Sequence, residues 1–325
     1  MNRNLLTILC LLAICGAAPS FAQPLASRAA TASSYIERGN QWYAKGEWVR
    51  AIADFDLAIA ADPNGANAYY NRAISRYQLK DYKHALADFD RALQRNPRFV
   101  EAYVDRSGVR FLLNDLDGAL DDGNKAVELD PRQAAAWGNR GLARRLKGDL
   151  AGALADFDRS LKLDARYAEV WNNRGVARLH AGEVEGALSD QTRAIKLNPD
   201  FHEAWSDRGA ARQAKGDLDG ALSDYNQSLA LDPRYANTWF NRANLWKLKG
   251  NLPQAEADFT QAIELKPSHP DSYAQRGLVR LLQNRAEAAR QDFDRCLELN
   301  ESLKPALERL IGETKQQLAQ RSPLQ

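Results

Sequence analysis

Arginine and aspartate recur in this sequence at one fixed interval, and they are the residues best suited to recognise or pair with charge. A bidentate ion pair between an arginine fork and a carboxylate is one use of such residues, and a row of arginines that binds an anionic partner is another. Because each arginine of this repeated set is followed by its own aspartate sixteen residues later, the pattern favours structural pairing with a partly buried aspartate. The arginines are Arg38, Arg72, Arg106, Arg140, Arg174, Arg208, Arg242 and Arg276, and the aspartates are Asp54, Asp88, Asp122, Asp156, Asp190, Asp224, Asp258 and Asp292.

The same interval of 34 residues governs the apolar positions and predicts two helices in each block. When Ala32 is position 1, alanine fills position 20 of all eight blocks and an aromatic residue fills position 4. Positions 4, 8 and 11 lie on one side of a first helix, and positions 20, 24 and 27 on one side of a second. Glycine or asparagine at position 15 favours a left-handed turn between them, where Lys80 fits poorly. Further arginines at position 11, in six blocks, have no uniform acidic match and receive no role from the sequence.

This pattern resembles the tetratricopeptide repeat family, whose signature has a large residue at position 4, small residues at 8, 20 and 27, an aromatic residue at 24 and proline at 32. The resemblance implies an all-α fold, an α-solenoid in which helix pairs stack into a right-handed superhelix with a concave groove. We expect a capping helix over 304–320, because its apolar residues have helical spacing, and a tail over 321–325. The predicted repeats are 32–65, 66–99, 100–133, 134–167, 168–201, 202–235, 236–269 and 270–303.

The first residues differ from the rest of the chain. A short positive segment precedes an apolar run over 5–18, and small residues follow at 20–22. This pattern predicts a secretory signal peptide over 1–22 and a linker over 23–31. The run is shorter than the ~20 residues of a spanning helix, so retention as a membrane anchor is the weaker alternative. We expect an exported protein, periplasmic in a Gram-negative bacterium and otherwise secreted, whose mature chain keeps Cys296 as a core residue.

Composition and motifs point away from catalysis. The 44 basic and 42 acidic residues nearly balance, which does not favour nucleic acid as a partner. The four histidines, His84, His180, His202 and His269, occupy unrelated repeat positions, and no motif for a metal, a nucleotide or an activated nucleophile is present. The sequence therefore predicts no enzyme, no cofactor and no metal site.

The resemblance assigns the groove to positions 2, 5, 6, 9, 12 and 13 of each first helix. Position 6 carries a carboxamide in Asn71, Asn139, Asn173 and Asn241, and a carboxamide both donates to and accepts from a peptide backbone. Two interpretations stay open. These residues hold an extended peptide, or they solvate the groove and cap the turns between repeats. The lysine and arginine positions of the family's clamp for chaperone C termini are not occupied by basic residues here, so heat-shock chaperone tails are not expected partners.

Aromatic groove residues concentrate in the first three repeats, at Tyr43, Tyr70, Tyr77 and Phe111. They predict a pocket that anchors a bulky side chain, unless they pack against residues 23–31 or a neighbouring repeat. We therefore predict an exported, non-catalytic scaffold that binds an extended peptide or a partner protein in its groove. The alternative is a structural, self-associating component of envelope assembly, and a homo-oligomer is compatible with both. No integral membrane segment is expected after signal cleavage.

Overall fold

The computed structural model describes residues 25–321, with side chains over 30–320. Within this range the chain forms helices and no strand, which confirms the all-α prediction. The chain divides into two compact units, one ending at Ala102 and the other beginning at Tyr103. The helices are α1 Leu25–Ala44, α2 Trp48–Ala61, α3 Ala66–Gln78, α4 Tyr82–Arg95, α5 Val100–Leu112, α6 Leu116–Leu129, α7 Ala134–Leu146, α8 Leu150–Leu163, α9 Ala168–His180, α10 Val184–Leu197, α11 His202–Lys215, α12 Leu218–Leu231, α13 Ala236–Leu248, α14 Leu252–Leu265, α15 Pro270–Leu282, α16 Ala286–Leu299 and α17 Lys304–Arg321.

Helices pair as hairpins within each unit, and the hairpins of a unit also touch one another, as α2 contacts α3 in the first unit and α8 contacts α9 in the second. In the second unit α7 pairs with α8, α9 with α10, α11 with α12, and so on to α15 with α16. The first helices α7, α9, α11, α13 and α15 also contact one another in order. Residues on their shared side therefore form one surface within this unit, which we call the inner face and define by positions 2, 5, 6, 9, 12 and 13.

Small residues at the predicted packing positions let the two helices of a hairpin approach closely. Ala153, at position 20, has no exposed surface, and Phe157 packs in the same cluster. A side chain at Gly141, at position 8, would begin 2.8 Å from the Phe157 ring. Since such a contact is too short for any real Cβ, the aromatic residue at position 24 requires a small residue opposite it in this repeat.

A left-handed residue separates the two helices of each repeat. Five of these residues are glycine, as in Gly148 with a φ of 88°, and two are Asn114 and Asn284. Lys80 adopts the same conformation with a φ of 61°, although its sequence type fits that position poorly. The period therefore outweighs the local preference of Lys80, and the second repeat bears a backbone cost that its neighbours avoid.

Replacing Lys80 by glycine is expected to stabilise the chain. A left-handed backbone costs an ordinary residue about 1–2 kcal/mol, and the extra freedom of glycine in the unfolded chain cancels part of the gain. We expect Lys80→Gly to raise the free energy of unfolding by about 0.5–1 kcal/mol, measured by urea denaturation. The reverse change, Gly148→Lys, should lower it by a similar amount. Equal stability of wild type and Lys80→Gly would contradict this account.

The structure places a helix at each end of the described chain, one where the sequence predicts a linker and one where it predicts a capping helix. Helix α1 begins at Leu25, inside the segment 23–31 that the sequence assigns to a linker. The predicted signal peptide lies outside the described residues. Helix α17 packs on α15, where Leu307 joins a buried cluster with Ala274 and Cys296. Burial raises the pKa of the Cys296 thiol, as expected for a core residue. Among the described helices, none is long and apolar enough to cross a bilayer.

Candidate functional site

Each position-7 arginine bonds to the position-23 aspartate of its own repeat. In all eight pairs Nε and Nη2 donate to the two carboxylate oxygens, over distances of 2.5–3.0 Å. The eight aspartates are only 1–5% exposed, so their carboxylates are withdrawn from water and compensated by the fork. The structure thus joins, within one hairpin, the two charged positions that the sequence repeats without exception.

The position-11 arginines share the same carboxylates, a feature that the sequence reasoning missed. In six repeats Nη1 of this second arginine lies 2.7–3.0 Å from a carboxylate oxygen of the position-23 aspartate. One buried aspartate therefore holds two guanidinium groups in these repeats. The signal was the spacing of twelve residues from arginine to aspartate, which was present wherever position 11 is arginine. These six are Arg76, Arg110, Arg144, Arg178, Arg212 and Arg280.

The position-7 arginines also connect neighbouring repeats through their remaining nitrogen. Nη1 of Arg174 donates to Asp158 at 2.6 Å, and Nη1 of Arg242 donates to Asn226 at 2.7 Å. Both acceptors belong to the second helix of the preceding repeat. Burial lowers the pKa of Arg174, but hydrogen bonds to Asp190 and Asp158 outweigh it, and the net shift is upward. Arg174 and Arg242 therefore stabilise both their own hairpins and the contacts with the preceding repeats.

The aromatic residue at position 4 covers the flat face of the same guanidinium group. Ring centroids lie 4.6–5.7 Å from the position-7 guanidinium carbon in all eight repeats. Where this residue is tryptophan, as at Trp171, its indole N–H donates to the position-32 carbonyl of the preceding repeat, here Ala165 at 2.9 Å. Aspartates, a neighbouring repeat and an aromatic ring thus occupy these arginines, which argues against a ligand-binding role for them.

The four predicted carboxamides do not have equivalent surroundings. Asn139 donates to the Val104 carbonyl at 2.9 Å and to the Ser107 hydroxyl at 2.8 Å. Asn71 donates to Asn40 Oδ1 at 2.8 Å, and Asn173 accepts from Arg145 at 3.3 Å. All four partner residues belong to the preceding repeat. The Asn241 side chain has no hydrogen-bond partner among the described residues, and it lines a cavity. These contacts favour the inter-repeat interpretation for three of the four and leave Asn241 open to a ligand.

The predicted aromatic anchor falls on both units. Tyr43 accepts a hydrogen bond from Gln78 at 3.0 Å in the first unit. The Tyr70 ring, also there, lies 4.7 Å from that of Phe99, so it packs against a neighbour. Both tyrosines are half-buried. Their contacts match the alternative in which these residues support the repeats.

Tyr77 differs from the other tyrosines because it is 41% exposed. Its ring lies 5.8 Å from that of Tyr82, and the pair forms an aromatic surface within the first unit. Phe111 is half-buried and belongs to the second unit. Three of the four predicted anchor residues thus lie in the first unit and the fourth in the second.

A polar cluster lies on the inner face of the second unit. Asn172 Nδ2 donates to Asp207 Oδ2 at 2.7 Å. Burial raises the pKa of Asp207 to about 6, although Asn172 and the nearby Arg145 oppose that shift and Glu203 adds to it. Arg145 Nε and Asn172 Oδ1 are buried without a hydrogen-bond partner among the described atoms. Buried polar groups of this kind are costly, so the cluster lowers the stability of the middle repeats.

A cavity of about 880 Å³ lies on the inner face of the second unit. Its walls come from helices α11 to α15 and from α17, and they combine apolar and polar side chains. Its lining residues include Asn241, Lys247, Leu248, Leu278 and Leu310. Sequence reasoning missed this site because α17 was expected only to cap the last repeat, whereas it also forms one wall of the cavity. Among the described residues, no group of three or more metal-ligating side chains is placed to hold an ion.

Family comparisons agree with the repeat pattern. Models described as tetratricopeptide repeat match residues 66–99 and 236–269, residues 124–168 and 139–200, and residues 270–303. A model described as TPR repeat matches residues 212–250. Together these ranges cover more than half of the 325 residues. Among curated proteins, none matches the sequence significantly.

Solved structures share the fold at low sequence identity. A chain of the APC/C hetero-tetramer Cut9–Hcn1 matches with a TM-score of 0.68 and 14% identity, over 86% of this chain and 55% of that chain. A tetratricopeptide repeat protein from Parabacteroides merdae matches with a TM-score of 0.55 and 18% identity, over 88% of this chain and 99% of that one. PilF from Pseudomonas aeruginosa matches with a TM-score of 0.56 and 20% identity, over 64% and 94%. These similarities confirm the α-solenoid class and extend no further than the fold.

Proposed function

The chain belongs to the tetratricopeptide repeat family, and from this premise we propose that it is an exported, non-catalytic scaffold that binds an extended segment of a partner protein on its inner face. The fold is that of a protein–protein interaction scaffold. The observation that carries the finer proposal is the contrast between two kinds of polar residue. The repeated arginines and aspartates bond to one another, whereas the Asn241 side chain faces a cavity and has no hydrogen-bond partner among the described residues.

The lack of a catalytic constellation supports a binding role. General acid–base and nucleophilic catalysis require a few side chains with individual surroundings, brought together at one place. Here the eight position-23 carboxylates repeat with the period of the fold, and each is bonded to one or two arginines, as Asp190 is to Arg174 and Arg178. An exported location rests on the pattern over 1–22, which lies outside the described residues, and it is proposed on the sequence alone.

Partner capture from a native extract tests this function. The chain is immobilised, crosslinked and analysed by mass spectrometry, with Asn241→Ala and Asn139→Ala compared with wild type. Asn241→Ala is expected to weaken capture without changing the melting temperature, because it removes no internal hydrogen bond. Asn139→Ala is expected to lower stability by about 1–2 kcal/mol, because it removes the donor to Val104 and Ser107.

Two results would contradict the proposal. One is a wild-type chain that captures no protein at physiological salt. The other is a chain whose mass by static light scattering is that of a stable oligomer and whose Asn241→Ala variant captures as well as wild type. The second result would support the self-associating envelope component instead.

A further inference from the structure

Lys247 differs from the scaffold arginines because it has no anionic partner. Its Nζ donates to the Gln275 side-chain carbonyl, and no carboxylate pairs with it in the part of the chain that the structure describes. The other cation at position 12 is Arg145: burial lowers its pKa, and the nearby Asp207 carboxylate opposes that shift. Burial lowers the pKa of the Lys247 ammonium, and no neighbouring charge opposes it. A half-buried ammonium without a counter-ion is costly in the free protein, and an anionic ligand would remove that cost.

The surroundings of Lys247 are apolar on several sides. Leu278, Leu282 and Leu310 line the same cavity as Lys247, from α15 and α17. Leu248, at the next position of α13, also lines it and is 62% exposed. Aliphatic surface beside an uncompensated charge fits a ligand that carries both an aliphatic group and an anion.

The acidic residue among those that line the cavity has a different cationic neighbour. Glu313, on α17, lines the cavity but lies 3.9 Å from Arg309 one helical turn earlier. No ion pair joins it to Lys247 within the described side chains. The positive charge of Lys247 therefore stays available at the cavity wall.

The backbone around the cavity favours a side-chain carboxylate over a chain terminus. Capture of a terminal carboxylate commonly uses backbone N–H groups arranged as a nest. Most of the lining residues belong to helices, whose N–H groups are engaged within the helix. A single ammonium acts as a point charge and suits one flexible carboxylate.

We propose that this cavity binds an extended peptide segment in which an aspartate or glutamate side chain pairs with Lys247 Nζ and adjacent aliphatic residues pack on Leu248, Leu278 and Leu310. Asn241 lines the same cavity and supplies a free carboxamide for the peptide backbone. The proposal rests on the scaffold function above and adds the chemical class of the segment. The cavity volume of about 880 Å³ is large enough for a few side chains.

Fluorescence anisotropy with three labelled, N-acetylated pentapeptides tests this assignment. The first has glutamate between two leucines and an amidated C terminus, the second replaces glutamate by glutamine, and the third has glutamine and a free C-terminal carboxylate. Wild type is expected to bind the glutamate peptide about tenfold more tightly than the amidated glutamine peptide, since a charge-assisted bond is added. The preference should decrease as salt is raised. The free carboxylate alone should not restore it.

Lys247→Met keeps the length and apolar stem of the side chain while removing the charge. This variant should bind both amidated peptides with equal affinity, and circular dichroism should show an unchanged helical fold. The matched control is Lys215→Met, because Lys215 is an exposed lysine of α11 that pairs with Glu185 and does not line the cavity. It should keep the full preference. Leu248→Ser should weaken both peptides equally, since it removes aliphatic contact and no charge.

The assignment would be overturned if wild type did not bind the glutamate peptide or bound the two amidated peptides equally. It would also be overturned if Lys247→Met kept the preference for glutamate, or if wild type bound the peptide with the free C terminus more tightly than the glutamate peptide. The scaffold function fails separately, when wild type captures no partner from extract. Partner capture that is equal in wild type and Lys247→Met would leave the scaffold intact and place its site elsewhere.

Discussion

Asp190→Ala is expected to lower the free energy of unfolding by about 3–5 kcal/mol, because it removes the acceptor of a buried ion pair. The Asp190 carboxylate accepts from Arg174 at 2.7 and 2.8 Å and from Arg178 at 2.8 Å. Removing it takes two hydrogen bonds from Arg174 and one from Arg178, and an uncompensated buried charge is more costly than a lost contact. Arg174 retains Asp158, so the lower end of the range is the better expectation.

Urea denaturation followed by circular dichroism measures this loss, and hydrogen exchange locates it. In a repeat array each hairpin contacts its neighbours, so protection should fall first in α9 and α10 and then in the adjoining helices. Asp158→Ala is the exposed comparison. Its carboxylate bonds the same arginine but its side chain is 59% exposed, and a loss of about 0–1 kcal/mol is expected. Equal losses for Asp190→Ala and Asp158→Ala would contradict the account.

Two further variants separate buried charge from packing. Asp54→Ala should cost less than Asp190→Ala, because Arg38 is 53% exposed and position 11 of that repeat is Trp42 instead of arginine. In the middle repeat, combining Asp190→Ala with Arg174→Leu and Arg178→Leu should recover part of the lost stability, since no orphaned charge remains. No recovery would mean that the three side chains contribute mainly through shape.

The sequence alone predicts the hairpins because the signals that end and join helices are local. Proline at position 32, present in six repeats, and a left-handed residue at position 15, present in all eight, each act within a few residues. Even Lys80 follows the pattern, since the packing of α3 on α4 outweighs its own backbone preference. The pairing of position 7 with position 23 was also predictable. Arginine and aspartate fill these positions in all eight repeats, and burying either charge without the other would be costly.

Features between repeats were harder to predict. Asn139 and Asn241 occupy the same position, yet the first donates to the preceding repeat and the second faces a cavity. That choice depends on the residue opposite, such as Ser107, and on the approach of neighbouring first helices, which a repeat signature does not encode. The cavity itself depends on how α17 packs on α15, and α17 lies outside the 34-residue repeats. The position-11 arginines were missed because two donors share one acceptor, so a search for one-to-one matches finds none.

Asp207 gives the second large prediction, which is a dependence of stability on pH with a sign opposite to that of most carboxylates. Burial raises its pKa from the ordinary 3.8 to about 6. The folded chain therefore binds a proton more tightly than the unfolded chain does. The resulting stabilisation is fully present below pH 3.8 and is lost as pH rises through 6. Over that window the group is expected to remove on the order of 2 kcal/mol of stability.

The comparison with Asp207→Asn isolates this contribution, because asparagine can still accept from Asn172 but does not titrate. We expect the free energy of unfolding of wild type, minus that of the variant, to fall by on the order of 2 kcal/mol between pH 4.5 and pH 7.5. Asp164→Asn is the control. Hydrogen bonds from Arg166 lower the pKa of Asp164 to about 2, so its difference from wild type should stay constant over the same range. A difference for Asp207→Asn that stays constant would mean that Arg145 and Asn172 compensate the buried carboxylate fully. A difference that rises with pH would mean that the polar cluster stabilises the middle repeats instead of weakening them.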